Sequence, residues 1–203
     1  MMYDDIKQDI YLHFVKYDNL KRYNHSIKVM EKALEIVEQN NFCVDLEQIK
    51  LSAMLHDVGK VIPECEQLKI IKERKNEFGL SASEYEELLK CPNVWHSFVG
   101  GILAKDKFGI NDKAVLDAIN YHTSGKPNMS LLCKIIYVSD VIEDSRTYKT
   151  ADIYREYVKR DFDNGLYEIL KEINRMLEEK NEMVFSLTKN ACLYYKEKKW
   201  KEN

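Results

Sequence analysis

The run Leu51-Ser52-Ala53-Met54-Leu55-His56-Asp57-Val58-Gly59-Lys60 decides how the rest of the chain is read. Its apolar half suits a buried helix, and Gly59 just past the end suits a C-terminal stop from which Lys60 turns back. Successive residues of a helix point about 100° apart, so His56 and Asp57 cannot form one flat two-ligand face. They can serve neighbouring positions, the imidazole on one metal ion and the carboxylate bridging to a second. A His-Asp dipeptide also arises simply as a helix end, so its weight depends on what else converges on it.

Around this run lies a chain of 203 residues, a length that predicts one domain, residues 1–203, with a sizeable core. Seven Gly and three Pro are about 5% of the chain, against about 12% in average usage. With so few breakers and so many Lys, Glu, Leu and Ile, the expected fold class is all-α. The net charge of −3 argues against a nucleic-acid polymer as partner, while a small anion held by a few cations remains open. Cys43, Cys65, Cys91, Cys133 and Cys192 form no C-x-x-C pair and are odd in number, the pattern of reduced cytosolic thiols. Asp4, Asp5 and Lys7 do not suit a signal peptide. The longest stretch without Asp, Glu, Lys or Arg, residues 91–104, is shorter than the roughly 20 residues of a spanning helix. The expectation is a cytoplasmic protein with no membrane partner.

Helical spacing predicts a first helix over 3–16, with Ile6, Ile10 and Phe14 on one face. A second runs from near Asp18 to about Asn40 on a stripe of Ile27, Met30, Leu34 and Val37, with Arg22 and His25 sharing a face. Asp45 and Gln48 resemble a capping box opening the helix that ends at His56. Residues 61–80 read as a lid or connector, and Ser81 or Ser83 caps a short helix. Pro92 opens a helix to about Phe108 that carries His96 and the pair Gly100-Gly101, which implies close packing. Asn111 or Asp112 caps the next, which ends at Tyr121-His122-Thr123. The helix from Ser130 is apolar on nearly all sides and is expected at the centre, with Asp140 in it. Residues 151–180, broken near Gly165, and 186–199 finish the chain, with Lys196, Lys198, Lys199 and Lys201 as a solvated helix end.

Of the five histidines, all but His13 fall in or at the end of a helix with a strong apolar side. One histidine in a helix is ordinarily a satisfied core or surface residue. Asp140 is different, because an ionised carboxylate in the most apolar helix needs a cation or a metal. The nearest cations, Lys134 and Arg146, are expected to point elsewhere on the helix. Four imidazoles and two carboxylates suit Fe, Mn, Co, Ni or Zn, and are right for two ions bridged by one carboxylate.

The ordered set His25, His56-Asp57, His96, His122, Asp140 resembles the HD superfamily of metal-dependent phosphohydrolases. Five blocks, Arg22-Tyr23-Asn24-His25-Ser26, Leu55 to Lys60, Val94-Trp95-His96-Ser97, Tyr121 to Gly125 and Ile136 to Glu143, are similar to bacterial HD-type symmetrical bis(5'-nucleosyl)-tetraphosphatases. The resemblance covers about residues 8–195. It implies an HD-domain helical bundle, core about 18–145 with C-terminal helices about 151–199, around a dinuclear metal site. His25, His56, Asp57 and Asp140 would hold the first ion and Asp57, His96 and His122 the second, with iron the usual metal. The implied reaction cleaves diadenosine tetraphosphate to two ADP, with Asp57 and Lys60 as catalytic residues. A nucleotidase or phosphodiesterase of the same superfamily is the alternative, although the Gly-Tyr-Pro segment of the latter is missing. Candidate substrate contacts are Arg22, Lys60, Thr123, Ser124, Gly125, Glu143 and Arg146. Asp144-Ser145 stands where the family has Pro before Arg, which leaves that loop's shape open. Trp95 and the tyrosines are expected in the core. The expected partner is a small nucleotide, and a homodimer stays open.

Overall fold

A computed structural model describes residues 2–201, with side chains to residue 198. Eleven α-helices occur among them and no strand. In chain order they are α1 (Tyr3–Lys16), α2 (Leu20–Gln39), α3 (Leu46–Leu55), α4 (Glu64–Glu73), α5 (Ala82–Leu88) and α6 (Pro92–Asp106). Then follow α7 (Lys113–Tyr121), α8 (Leu131–Ile142), α9 (Ala151–Arg160), α10 (Phe162–Glu179) and α11 (Ser186–Lys201).

The apolar helix α8 is the axis of the fold: Leu132, Ile135, Ile136, Tyr137 and Val138 are all buried. Helices α2, α3 and α7 pack around it, α6 packs on α7, and α9 and α10 close the other side. Fully burying side chains such as Ile135 and Ile136 contributes about 1.5–3 kcal/mol each.

Local chemistry sets the helix starts. Asn19, Ser81, Asp112, Ser130 and Asp161 each accept a hydrogen bond from the first turn that follows them. Asp45 caps α3 without a box, because Gln48 instead donates to Asp112 at 2.7 Å. The buried stripe of α2 is Val29, Ala33, Ile36 and Val37; Ile27, Met30 and Leu34 are only partly buried at its edge. The break expected at Gly165 lies at Asp161 instead. Gly165 sits inside α10, where a Cβ would meet the Val158 backbone at 2.7 Å.

Residues 61–80 are not a lid. Pro63 starts the regular helix α4, which rests on α6 through Ile71. Trp95 is buried and donates to the Leu88 carbonyl, as core placement requires. Lys196 and Lys198 are exposed, whereas the side chains of Lys199 and Lys201 lie outside the described residues.

Candidate metal centre

Helices α3 and α7 end in the same local device. His56 follows α3 and its Nδ1 donates to the Ala53 carbonyl at 2.6 Å; His122 follows α7 and its Nδ1 donates to the Ile119 carbonyl at 2.8 Å. Each imidazole thereby satisfies a carbonyl that the helix end leaves open. Each is also locked in one tautomer, with its Nε2 lone pair free to face inward. His25 on α2 is held alike, its Nδ1 donating to Glu143 Oε1 at 3.1 Å. His96 departs from the pattern: its Nδ1 faces Lys60 Nζ at 3.3 Å.

The six side chains converge. Ligand atoms of His25, His56 and Asp57, of His56, His122 and Asp140, and of Asp57, His96 and His122 lie within 4.8 Å of one another in each group. His56 is fully buried, and its Nε2 has no hydrogen-bond partner. A buried nitrogen acceptor without a partner is costly, and a metal ion satisfies it. The donor set therefore fits a transition metal.

Asp57 divides its carboxylate between the two ends of the cluster. Oδ1 lies 3.5 Å from His96 Nε2 and 3.6 Å from His122 Nε2. Oδ2 lies 3.4 Å from His56 Nε2 and 3.8 Å from His25 Nε2, and accepts from Arg22 Nη1 at 2.7 Å. Burial pushes the Asp57 carboxyl up, but the imidazoles of His56, His122 and His96 outweigh it and hold the group well below the carboxylate range. Burial and the His122 ring push His96 far down, so it stays neutral.

The HD domain family model matches residues 22–145. The symmetrical bis(5'-nucleosyl)-tetraphosphatase of Bacillus subtilis is 37% identical over 164 residues, 81% of this chain and 83% of that protein. The Staphylococcus aureus protein of the same name is 32% identical over 86% of this chain and 87% of its own length. The crystal structure of a predicted HD superfamily hydrolase involved in NAD metabolism from Clostridium acetobutylicum superposes with a TM-score of 0.81, at 30% identity. It covers 95% of this chain and 97% of its own.

The chain belongs to the HD-domain family.

It is thus an HD hydrolase, and the turn after its His-Asp pair shows why a glycine follows. Gly59 does not have the positive φ of a helix stop. A Cβ there would lie 2.1 Å from the His96 carbonyl oxygen and 2.7 Å from Gly100 N, so the turn is seated directly on α6. Gly100 in turn faces the His56 carbonyl. These contacts fix the distance between Asp57 and His96.

Several expected substrate contacts of the HD domain have other duties. Ser124 is 0% exposed and donates to the Gly125 carbonyl; Gly125, at φ +64°, packs on Leu170, Ala191 and Tyr137. The two build a buried turn under the C-terminal helices. Glu143 is 1% exposed and holds His25, and it is itself fixed by Ser145 N at 2.6 Å and Ser145 Oγ at 2.7 Å. Arg146 does not point away from Asp140: its Nη2 donates to Asp140 Oδ1 at 2.6 Å, an oxygen 3.0 Å from His25 Nε2. Lys134 does point away, pairing with Asp163. Burial pushes Asp140 up, but the neighbouring His25 and His56 imidazoles outweigh it and hold the group below the usual carboxylate range. Thr123 Oγ1 lies 3.0 Å from His96 Nε2 and 2.9 Å from His122 Nε2, at the mouth of the cluster.

Two cavities open on the cluster. One, of about 440 Å³, meets His122, Thr123 and Asp140 and is walled by Val94, Ile173, Leu177, Met183 and Phe185. The other, of about 1040 Å³, meets His25 and is lined by Lys21, Arg22, Lys28, Arg146 and Tyr148. Sequence reading missed Ser145, Lys21, Lys28 and the apolar wall. Lys21 and Lys28 had a signal, since both lie one turn from the Arg22–His25 face. The wall had none, because its residues come from distant helices.

Proposed function

We propose that this HD domain hydrolyses dinucleoside tetraphosphates, diadenosine tetraphosphate among them, symmetrically to two nucleoside diphosphates on a dinuclear metal site. The observation that carries this reading is the divided carboxylate of Asp57. One oxygen faces His96 and His122 and the other faces His25 and His56, all between 3.4 and 3.8 Å. His25, His56, Asp57 and Asp140 would hold the first ion, and Asp57, His96 and His122 the second. Nitrogen and carboxylate donors without thiolate suit Fe, Mn, Co, Ni or Zn, and the resemblance to the symmetrical tetraphosphatases selects iron among them. Such a pair of ions supplies an acidified water and a clamp for phosphoryl oxygens.

The chain's own residues bind and orient. The apolar cavity beside His122 receives one nucleoside, and its size and lining suit a planar base. Thr123 and Lys60 stand where the phosphates pass toward the cluster. Burial lowers the Lys60 ammonium somewhat, with Asp57 opposing, which leaves a cation aimed at an anionic substrate. Water then bonds to the second phosphorus and gives up a proton to the solvent, and the bridging oxygen leaves with the bonding pair on the departing nucleoside diphosphate. Residues 1–203 act as one catalytic unit, since the cavity joins α7 and α8 to residues 173–188 of the C-terminal region. Its free cysteines match work in a reducing cytoplasm.

Hydrolysis of diadenosine tetraphosphate by metal-loaded protein in oxygen-18 water is the test. ADP alone, labelled on its terminal phosphate, supports the reading. ATP plus AMP, or no turnover, ends it. His122→Ala should lose one of two bound ions in metal analysis.

A further inference from the structure

The two halves of a symmetrical dinucleotide are chemically identical, yet the two cavities that meet the metal cluster are not. The first is apolar. The second is lined by Lys21, Arg22, Lys28 and Arg146 against a single carboxylate, Glu143, which is buried and already engaged. Lys21, Asn24 or His25, and Lys28 recur at helical spacing, so the two lysines extend the His25 face of α2 by a turn on either side. Both lysines are exposed, and among the described residues neither has a carboxylate within ion-pair distance.

The opposite wall of this cleft is built rather than loose. Arg155 donates to the carbonyls of Ile142, Glu143 and Arg146 at 2.9, 2.8 and 2.9 Å. Lys32 pins Asp144 to α2 at 2.8 Å. The Tyr148 hydroxyl donates to the Val141 carbonyl, which fixes a ring that is 42% exposed and lines the cleft. Two lysines without a carboxylate partner among the described residues, beside an open aromatic face, make a receptor for a nucleoside diphosphate: charge for the phosphates, a ring for the base.

Resting on the proposed hydrolysis, we infer that this cleft is the subsite of the departing nucleoside diphosphate, with Lys21 and Lys28 on its phosphates and Tyr148 against its base. The departing group is the one on which charge develops as the bridging bond breaks, so the cation-rich side is where it gains most. Each chain thus has two unlike sites for two like products, and they leave with unequal affinity.

Calorimetric titration of the metal-loaded protein with ADP tests this directly. Two ADP per chain with distinct affinities are expected in the wild type. Lys21→Ala/Lys28→Ala should keep one, lower kcat/KM for diadenosine tetraphosphate about tenfold, and leave metal content unchanged. Lys21→Arg/Lys28→Arg should restore the second ADP. One ADP in the wild type, or two in the alanine variant with wild-type affinities, overturns the assignment even if symmetrical cleavage is observed. Two ADP bound by a protein that does not cleave the tetraphosphate overturns the proposed hydrolysis and the departing-group role with it, and leaves the cleft as a second nucleotide site.

Discussion

Arg146 and Asp140 form an ion pair of 2.6 Å across the end of α8, on the same carboxylate oxygen that His25 Nε2 approaches at 3.0 Å. The carboxylate that looked unpaired in the sequence is therefore paired with Arg146. Arg146→Ala should leave Asp140 to the imidazoles and any metal, so metal content is kept while KM for a phosphate-bearing substrate rises about tenfold. Loss of metal with unchanged KM would show instead that Arg146 serves only to orient Asp140.

Glu143 acts on the cluster through His25. Glu143→Gln keeps the volume but removes the charge opposite His25 Nδ1. Removal of such an outer partner typically weakens metal binding about 10- to 100-fold. Competition with a chelator, followed by metal analysis, should show that loss with the helical content intact.

Gly59, seated on α6, and Gly101, on the face of α6 toward α7, should not be equivalent. Gly59→Ala drives a Cβ into backbone atoms at 2.1 and 2.7 Å, which cannot yield without moving α6. Gly101→Ala meets only the side chain of Asn120, which can turn aside. The first should cost about 3 kcal/mol or more and the second distinctly less, as read from denaturant midpoints. Equal costs would mean that the turn is free to shift.

His13 predicts an acid-side loss of stability. It is buried, donates through Nε2 to the Val58 carbonyl at 2.9 Å and accepts from Lys107 at 2.7 Å through Nδ1. Burial, together with Lys107 and Lys16, lowers its pKa in the folded state despite the Val58 bond. The unfolded chain then binds a proton that the folded chain refuses. Stability is fully present above the ordinary histidine pKa of about 6.5 and falls as pH drops through the lowered value, by up to about 1.4 kcal/mol per pH unit. His13→Gln, which keeps the donor to Val58, should flatten the Tm profile on the acid side of neutrality relative to wild type.

The sequence by itself determined most of the helices, α4 excepted, and the order of the six candidate ligands. Helix starts follow from single capping residues, and burial of α8 follows from its unbroken apolar run; both are local properties that need no partner. His25, His56, Asp57, His96, His122 and Asp140 were legible because each interrupts, or ends, a periodic apolar face. What the tertiary structure decided is how the polar groups pair. His25 meets Glu143 across 118 positions and Arg22 meets Asp57 across 35, distances over which periodicity carries no information. The burial of Ser124, the turn of Arg146 onto Asp140 and the apolar wall of residues 173–185 likewise exist only once α8, α10 and α11 are packed. Gly59 shows the boundary: its position was readable, but its reason is an approach to α6 rather than a left-handed turn, and only packing creates that approach.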